Sequence, residues 1–263
     1  MFRRSRSSWA RKVVPMSNGT GTAGPLRIGH KGADALVAGN TVASFERAVE
    51  IGVDLIEFDV LWLPDGRPGT PASRRSPLVV AHDWHDASRA DPPTLEEILE
   101  AFTRAPLDRV RINLDLKLPG REAEVVEALD ANGLTARASV STMEVSSLEV
   151  IAELEPSIER GWTVPRVTRD WTSVPWLKPA LALAVAAARR QMPESVARGL
   201  PDLGVHSVWA FFGVVSPALL AVTRAAGVDL NVWTVDDPAR IRSLSAMGVS
   251  GICSNDPRLL NQS

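Results

Sequence analysis

Short apolar runs alternate with amphipathic stretches along almost the whole chain, and this alternation constrains the fold more than any other feature. Strands are predicted at residues 26–30, 54–63, 78–82, 110–118, 138–142, 158–164, 206–212, 229–235 and 249–254. The stretches between them have helical spacing; at residues 41–51, for example, Val42, Phe45 and Ala48 share one face. Strands that alternate with helices build βαβ units and a parallel sheet.

The number of strands indicates which parallel architecture forms. About eight strand candidates in a domain-sized chain of 263 residues favour one closed (β/α)8 TIM barrel over an open doubly wound sheet. The sequence contains no glycine-rich dinucleotide loop and no P-loop, which also disfavours a nucleotide-binding sheet. We predict that residues 26–263 form this barrel as a single domain and that residues 1–25 form a basic, disordered tail.

The predicted tail is basic, with Arg3, Arg4, Arg6, Arg11 and Lys12 and no acidic residue. No apolar stretch of signal-peptide length follows these residues, so we expect a cytoplasmic protein. Two alternatives stay open for the segment. In the first, these residues precede a true translation start at Met16. In the second, the basic residues give weak peripheral contact with an anionic membrane.

Composition excludes several other classes of protein. A net charge of −2 gives no basic excess of the kind that nucleic-acid binding needs. Cys253 is the single cysteine, which excludes an internal disulfide and a cysteine-based zinc cluster.

The apolar run at residues 180–188 is far shorter than the ~20 residues that cross a bilayer, so we expect no transmembrane segment. The sequence carries no signal of oligomeric state.

One segment does not fit the alternation. Residues 176–198 are helical in composition, but Pro179 and Pro193 are predicted to break the helix. We therefore predict an insertion or a lid here. The overlapping residues 171–192, with Trp171, Trp176 and a run of alanine, leucine and valine, would shape an apolar entrance for a lipid substrate. Ordinary packing of a barrel helix is the alternative.

Carboxylates and a lysine lie on single faces of two predicted strands. Residues two apart share a strand face, so Glu57 and Asp59 point to one side, as do Asp115 and Lys117 on another strand. Buried carboxylates are costly unless they are paired or bind a cation. Three carboxylates make an oxygen-rich site that suits Mg²⁺ or Ca²⁺ better than zinc. A neighbouring lysine complements a phosphate bound to that cation.

Two histidines, His30 and His82, fall at the ends of predicted strands. Imidazoles flanking a metal-bound phosphate provide one base and one acid near neutral pH. Simpler interpretations exist: hydrogen-bonded histidines, solvated carboxylates, or a structural ion pair between Asp115 and Lys117. Barrel active sites are assembled from several strand ends, so the coincidence of these residues at such ends favours catalysis.

An ordered series of motifs runs from residue 28 to residue 260. It comprises His30-Lys31-Gly32, Asn40-Thr41, Gly52-Val53-Asp54-Leu55-Ile56-Glu57-Phe58-Asp59, Asp65-Gly66, His82-Asp83, Pro93-Thr94-Leu95-Glu96-Glu97, Asp115-Leu116-Lys117, Trp233-Thr234-Val235-Asp236 and Gly251-Ile252-Cys253-Ser254-Asn255-Asp256-Pro257. The series resembles the glycerophosphodiester phosphodiesterases of the phosphatidylinositol-phospholipase-C-like barrel superfamily.

The resemblance implies a TIM-barrel phosphodiesterase of lipid and glycerol metabolism. Such a hydrolase uses one divalent cation, Mg²⁺ or Ca²⁺, to convert glycerophosphodiesters to glycerol 3-phosphate and an alcohol. The implied roles are the catalytic acid–base pair His30 and His82, the metal ligands Glu57, Asp59 and Asp115, and the substrate contacts Lys31, Lys117 and Trp233. Which histidine is the base stays open, and plain core packing is the alternative for Trp233.

Three positions depart from the family pattern. Lys31 replaces an arginine, Asp115 replaces a glutamate that is one methylene longer, and Gly39 replaces a glutamate before Asn40-Thr41. The related sphingomyelinase D lineage also has an aspartate at the position of Asp115. The alternatives are therefore lysophospholipase D-like or sphingomyelinase D-like action on lipid phosphodiesters, or a non-catalytic binding protein on the same barrel.

Overall fold

The structure is a computed structural model, and it describes residues 24–62, 76–89, 92–166 and 178–262. Its strands are β1 (Leu26–His30), β2 (Leu55–Trp62), β3 (Leu78–Val80), β4 (Arg111–Leu116), β5 (Ala138–Thr142), β6 (Glu159–Val164), β7 (Ser207–Phe211), β8 (Asp229–Trp233) and β9 (Gly251–Ser254). Its helices are α1 (Val42–Ile51), α2 (Trp84–Arg89), α3 (Leu95–Ala101), α4 (Glu122–Ala131), α5 (Val145–Leu154), α6 (Lys178–Leu203), α7 (Pro217–Ala225) and α8 (Pro238–Met247).

The parallel strands close into a barrel with helices between them. The strand order is β1-β9-β8-β7-β6-β5-β4-β2, and pairing of β1 with β2 closes the ring. The predicted TIM barrel is therefore confirmed. Residues 1–23 lie outside the described residues, so the predicted tail stays a prediction. None of the described helices is long and apolar enough to cross a membrane.

One predicted strand does not belong to the parallel barrel. β3 pairs antiparallel with the last part of β2, with Val80 opposite Val60. It also ends at Val80, two residues earlier than predicted, so His82 lies in the turn before α2 rather than on a strand end. The Asp65-Gly66 motif lies outside the described residues.

The helices begin at capping residues that the sequence shows. Thr41 caps α1 by accepting a hydrogen bond from the Ser44 N–H. Thr94 and Glu97 of the quoted motif form a capping box at the start of α3. α1 then packs Phe45 against Phe58 of β2, with ring centroids 5.6 Å apart. This packing fixes the strand that carries two of the predicted metal ligands.

The predicted helix break at Pro179 and Pro193 is wrong for the described part of residues 176–198, whereas an insertion or lid in this segment stays a prediction. α6 runs without interruption from Lys178 to Leu203. Pro179 lies in the first turn, where no backbone N–H is needed. Pro193 has no backbone N–H, so the carbonyl of Arg189, four residues earlier, has no hydrogen-bond donor within the helix. Arg189 is exposed, and water hydrogen-bonds such a carbonyl. α6 is the connection between β6 and β7.

The strand register brings the predicted site residues to one end of the barrel. His30 pairs with Glu57, and Glu57 with Asn113. Two residues further on, Asp59 pairs with Asp115. His30 ends β1, and Asp59 and Asp115 come just before the end of the β2–β4 pairing, at the end of the barrel where TIM-barrel active sites form. Glu57 lies two residues deeper in the barrel.

Candidate active site

Three carboxylates meet at the carboxyl end of the barrel. Glu57 and Asp59 point inward from β2, and Asp115 does so from β4, so that ligand oxygens of all three lie within 4.8 Å of one another. Their exposed fractions are only 5%, 0% and 8%. We call these residues the acidic triad. Buried carboxylates this close repel one another unless a cation lies among them.

Lys117 supplies part of that positive charge. Its Nζ lies 2.5 Å from Asp59 Oδ1 and 2.5 Å from Asp115 Oδ2. Burial lowers the pKa of Lys117, but the carboxylates outweigh burial and hold it above its ordinary value. For Asp59, burial raises the pKa, but Lys117 and the two histidines more than offset this and keep it well below its ordinary value. Lys117 and Asp59 are therefore an ionised pair.

The acidic triad has the properties of a site for a divalent cation. Burial, followed by the charges of Asp59 and Asp115, raises the pKa of Glu57 well above its ordinary value, so one ammonium does not balance the three carboxylates. Asp59 Oδ1 is fully buried, and its charged contact is the Lys117 ammonium, 2.5 Å away. An oxygen-only donor set of this kind fits a hard cation.

His30 is held in one orientation by a chain of hydrogen bonds. Asn255 donates through Nδ2 to Asp236 Oδ2 at 2.7 Å, which turns its Oδ1 towards His30 Nδ1, 2.6 Å away. An amide oxygen only accepts, so the proton is on Nδ1 and Nε2 is bare in the neutral ring. Nε2 lies 3.9 Å from Glu57 Oε2. Burial lowers the pKa of His30 despite the Asp59 charge, which favours the neutral form.

His82 is placed differently from His30. Its side chain is 50% exposed, and its Nδ1 lies 3.7 Å from Asp83 Oδ2. It is close enough to Asp59 for its charge to help lower the pKa of that carboxyl. His82, Asp83 and Asp86 form a second group with metal-ligating atoms within 4.8 Å, but all three residues are exposed. The two histidines therefore flank the acidic triad from a buried and a solvent-facing side.

Comparison with known proteins identifies the family. The model of the glycerophosphoryl diester phosphodiesterase family matches residues 30–70 and 81–259. The chain belongs to this family. The matched residues include every predicted site residue, from His30 to Trp233.

Individual relatives cover nearly the same length. A glycerophosphodiester phosphodiesterase of Caldanaerobacter subterraneus subsp. tengcongensis is 24% identical and aligns over 89% of this chain and 96% of its own. A solved glycerophosphodiester phosphodiesterase from Parabacteroides distasonis is 21% identical, with a TM-score of 0.68 over 91% of this chain and 97% of its own. An Oleispira antarctica phosphodiesterase, solved with the product sn-glycerol-3-phosphate, is 20% identical, with a TM-score of 0.65 over 91% and 96%. These structures share the barrel.

The departures of this family member at Lys31 and Gly39 are linked in the structure. Lys31 Nζ pairs with Asp34 Oδ2 at 2.7 Å, and Asp34 Oδ1 accepts a hydrogen bond from the Gly39 N–H at 2.8 Å. A Cβ at Gly39 would collide with that Asp34 carboxylate. The Asp34 carboxylate therefore fills the space that a side chain on residue 39 would need. A carboxylate is thus present at this place although residue 39 is a glycine and not the glutamate of the family pattern. Contact of Lys31 with phosphate stays a prediction; its backbone N–H lies 3.2 Å from Glu57 Oε2.

Trp233 lies at the barrel mouth in an aromatic group. Its Nε1 donates to the Trp209 carbonyl at 3.1 Å, which satisfies its polar atom and leaves the ring for apolar contacts. Its ring centroid is 5.6 Å from that of Phe211, and Phe211 is 4.4 Å from Phe212. Trp233 is only partly buried, so a substrate contact and a packing role are compatible.

Sequence reasoning gave no role to several residues that contact the predicted ligands. Asn40 donates through Nδ2 to Asp59 Oδ2 at 2.9 Å, with its backbone in the left-handed region at φ 59°. Asn40 and Asn255 both belong to the motifs that resemble the family pattern, and that membership was the sequence signal of a functional role. Ser141, whose hydroxyl donates to Asp115 Oδ1 at 2.8 Å, had no such signal.

We expect Gly32→Ala to lower the free energy of unfolding by about 3 kcal/mol, measured by chemical denaturation. Gly32 has φ +89°, and a Cβ there would lie 2.7 Å from the Ser44 carbonyl carbon and 2.8 Å from its oxygen. Gly133→Ala is the matched control, because Gly133 also has a positive φ (+66°) but open space around it. That control should lose only about 1 kcal/mol. Equal losses in both variants would contradict the steric account.

Proposed function

We propose that the protein hydrolyses glycerophosphodiesters to glycerol 3-phosphate and an alcohol, using one divalent cation, Mg²⁺ or Ca²⁺. The observation that carries the proposal is the acidic triad with Lys117, flanked by His30 and His82 at the carboxyl end of the barrel. Membership of the glycerophosphoryl diester phosphodiesterase family supports the reaction class. The sn-glycerol-3-phosphate complex of the related Oleispira phosphodiesterase supports the product.

The acidic triad would hold the cation, and Lys117 would contact the phosphate. When bound, the cation neutralises charge on the non-bridging phosphate oxygens as the leaving group departs. Lys117 already has its ammonium among the carboxylates, so its charge is in place beside the phosphate position. Oxygen ligands alone favour Mg²⁺ or Ca²⁺ over softer metals.

His30 is the better candidate for the base. Its bare Nε2 faces the site, and Asn255 fixes the proton on Nδ1. In the proposed reaction, Nε2 takes the proton of the attacking hydroxyl as its oxygen bonds to phosphorus. If the attacking group is a water, glycerol 3-phosphate forms directly. If it is the substrate's free glycerol hydroxyl, a cyclic phosphate forms, and a water then opens the ring to glycerol 3-phosphate. The bond between phosphorus and the leaving oxygen breaks, and His82 gives that oxygen a proton. The exposed position of His82 suits an acid that meets a departing alcohol.

A second candidate substrate is a lysophospholipid, and the aromatic group at the barrel mouth favours it. Trp233, Phe211 and Phe212 are partly buried and contiguous. Val185 of α6 lies at the same rim, because a Cβ added to Gly213 would be 2.9 Å from Val185 Cγ1 and touch Phe211. An apolar surface leading from the site would contact an acyl chain and gain nothing from a free glycerol diester.

A substrate panel tests the proposal. Metal-free protein is assayed with glycerophosphocholine, glycerophosphoethanolamine and lysophosphatidylcholine, each without added metal, with Mg²⁺ and with Ca²⁺. We expect turnover only with a cation, faster on the deacylated diesters, and about 100-fold slower in a His82→Ala variant.

The other outcomes separate the alternatives. Faster turnover of lysophosphatidylcholine would support the second candidate. Cation binding without turnover of any diester would support a non-catalytic binding protein. Turnover that is unaffected by chelation, or equal in His82→Ala and the unsubstituted protein, would contradict the assigned site.

A further inference from the structure

A ladder of buried hydrogen bonds leads to one oxygen of the acidic triad. Ser139 Oγ lies 2.8 Å from Asn113 Oδ1, Asn113 Nδ2 lies 2.8 Å from Ser141 Oγ, and Ser141 Oγ lies 2.8 Å from Asp115 Oδ1. The exposed fractions of Ser139, Asn113 and Ser141 are 2%, 0% and 1%. We call these three residues the Asn–Ser ladder. It links β4 and β5 and ends on the ligand whose side chain is shorter than the usual glutamate.

The ladder fixes where the Ser141 proton goes. The Asn113 amide nitrogen only donates, so Ser141 accepts from it and has its one proton left for Asp115. If the oxygen and nitrogen of the Asn113 side-chain amide exchanged places, the oxygen would face Ser141. Ser141 would then donate to Asn113, and Asp115 would lose its hydrogen bond from Ser141. The Asp115 carboxylate only accepts, so the orientation in which Ser141 donates to it is favoured, and Asn113 Oδ1 then faces the Ser139 hydroxyl. Ser139 supports this orientation by donating to Asn113 Oδ1 at 2.8 Å, with the Ile112 carbonyl, at 3.3 Å, as its more distant alternative acceptor.

The ladder acts on Asp115 without changing the charge of the site. Lys117 holds Asp115 Oδ2 at 2.5 Å, and Ser141 holds Oδ1 from the neighbouring strand β5, so both carboxylate oxygens are fixed. Thr163 Oγ1, at 3.4 Å, is a weaker third contact. A hydroxyl adds no positive charge, so the negative charge of the triad is kept for a cation. A second basic residue at the same place would compete with that cation.

We propose that Ser141, oriented by Asn113 and Ser139, is a positioning residue that aims the Asp115 carboxylate at the cation site. This inference rests on the proposed function to the extent that the acidic triad binds a divalent cation. Ser141 acts through Asp115 and does not itself touch the substrate. Groups that orient a metal ligand in this way change metal affinity by about 10–100-fold when they are removed.

The test measures cation binding directly, with Mn²⁺ as the probe and free Mn²⁺ counted by electron paramagnetic resonance. Ser141→Ala should weaken Mn²⁺ binding about tenfold. In turnover assays the same variant should regain most of its kcat at saturating Mg²⁺, with an unchanged KM for the substrate. Ser139→Ala, one step further along the ladder, should weaken Mn²⁺ binding less than Ser141→Ala.

Ser147→Ala is a matched control. Ser147 is also completely buried and donates to a carboxylate, Glu122 Oε1 at 2.5 Å, but it lies on α5 outside the barrel interior. The control should lose similar stability and bind Mn²⁺ as the unsubstituted protein does. Equal weakening in both variants would mean that Ser141 acts through general stability, and unchanged Mn²⁺ binding in Ser141→Ala would overturn the proposal.

A double substitution separates positioning from a direct role. If Ser141 acts through Asp115, Ser141→Ala combined with Asp115→Asn should bind Mn²⁺ no more weakly than Asp115→Asn alone. Additive losses would overturn the proposal. Because these readouts need no diester hydrolysis, a protein that binds Mn²⁺ but hydrolyses no diester would contradict the proposed function and leave the positioning role supported. A protein that binds no Mn²⁺ at the triad would contradict both.

Discussion

Asp59→Asn should lower kcat/KM for a glycerophosphodiester by about 10³-fold or more and abolish binding of a divalent cation at the acidic triad. Metal assistance contributes several kcal/mol to charge stabilisation, and each 1.36 kcal/mol is a factor of ten in rate. Asp59 is the member of the triad with no exposed surface, and the ion pair with Lys117 keeps it charged. An asparagine preserves its shape and removes the charge, so cation affinity should fall without loss of packing.

The measurements for Asp59→Asn are Mn²⁺ binding, steady-state turnover and the thermal unfolding midpoint. Asp54→Asn is the control, because Asp54 immediately precedes the same strand and pairs with Arg27 at 2.8 Å, away from the triad. This pair is more than one-third exposed, so the control should change stability little and turnover less than twofold. Cation binding that survives in Asp59→Asn would show that the cation is held elsewhere.

His30→Ala should lower kcat by about 10²–10⁴-fold, the usual loss when a general base is removed. The reason is geometric: Asn255 and Asp236 hold the ring so that a bare Nε2 faces the triad. Affinity for Mn²⁺ should change much less than kcat, because the ring is not one of the three carboxylates. The two measurements together separate loss of a base from loss of a metal ligand.

His206→Ala is the control for His30→Ala. His206 is likewise held by a hydrogen bond at Nδ1, but its partner is the backbone of a neighbouring strand: Nδ1 accepts from the Arg160 N–H at 3.1 Å. It lies before β7, at the opposite end of the barrel, so its removal should leave kcat within about twofold. A His30→Ala variant with kcat near that of this control would remove His30 from the proposed mechanism. A parallel loss of Mn²⁺ binding would reassign it as a metal ligand.

Much of the fold was predictable because the spacing of apolar residues along the chain decides where strands and helices form. The apolar runs at residues 26–30 and 138–142 are strands with the predicted bounds. The errors arose where a tertiary context overrides a local rule. Pro193 is tolerated inside α6 because the carbonyl that it leaves without a donor is on an exposed residue. β3 has strand composition but pairs with the outer part of β2.

The sequence by itself determined the carboxylates of the acidic triad, the neighbouring lysine and the strand faces on which they lie. Alternation places Glu57 and Asp59 on one face, and this is a property of any strand. Only the tertiary structure decided the distances between strands, because these depend on the register and on closure of the barrel. It therefore showed that Lys117 bridges Asp59 and Asp115, and that Ser141 donates to Asp115.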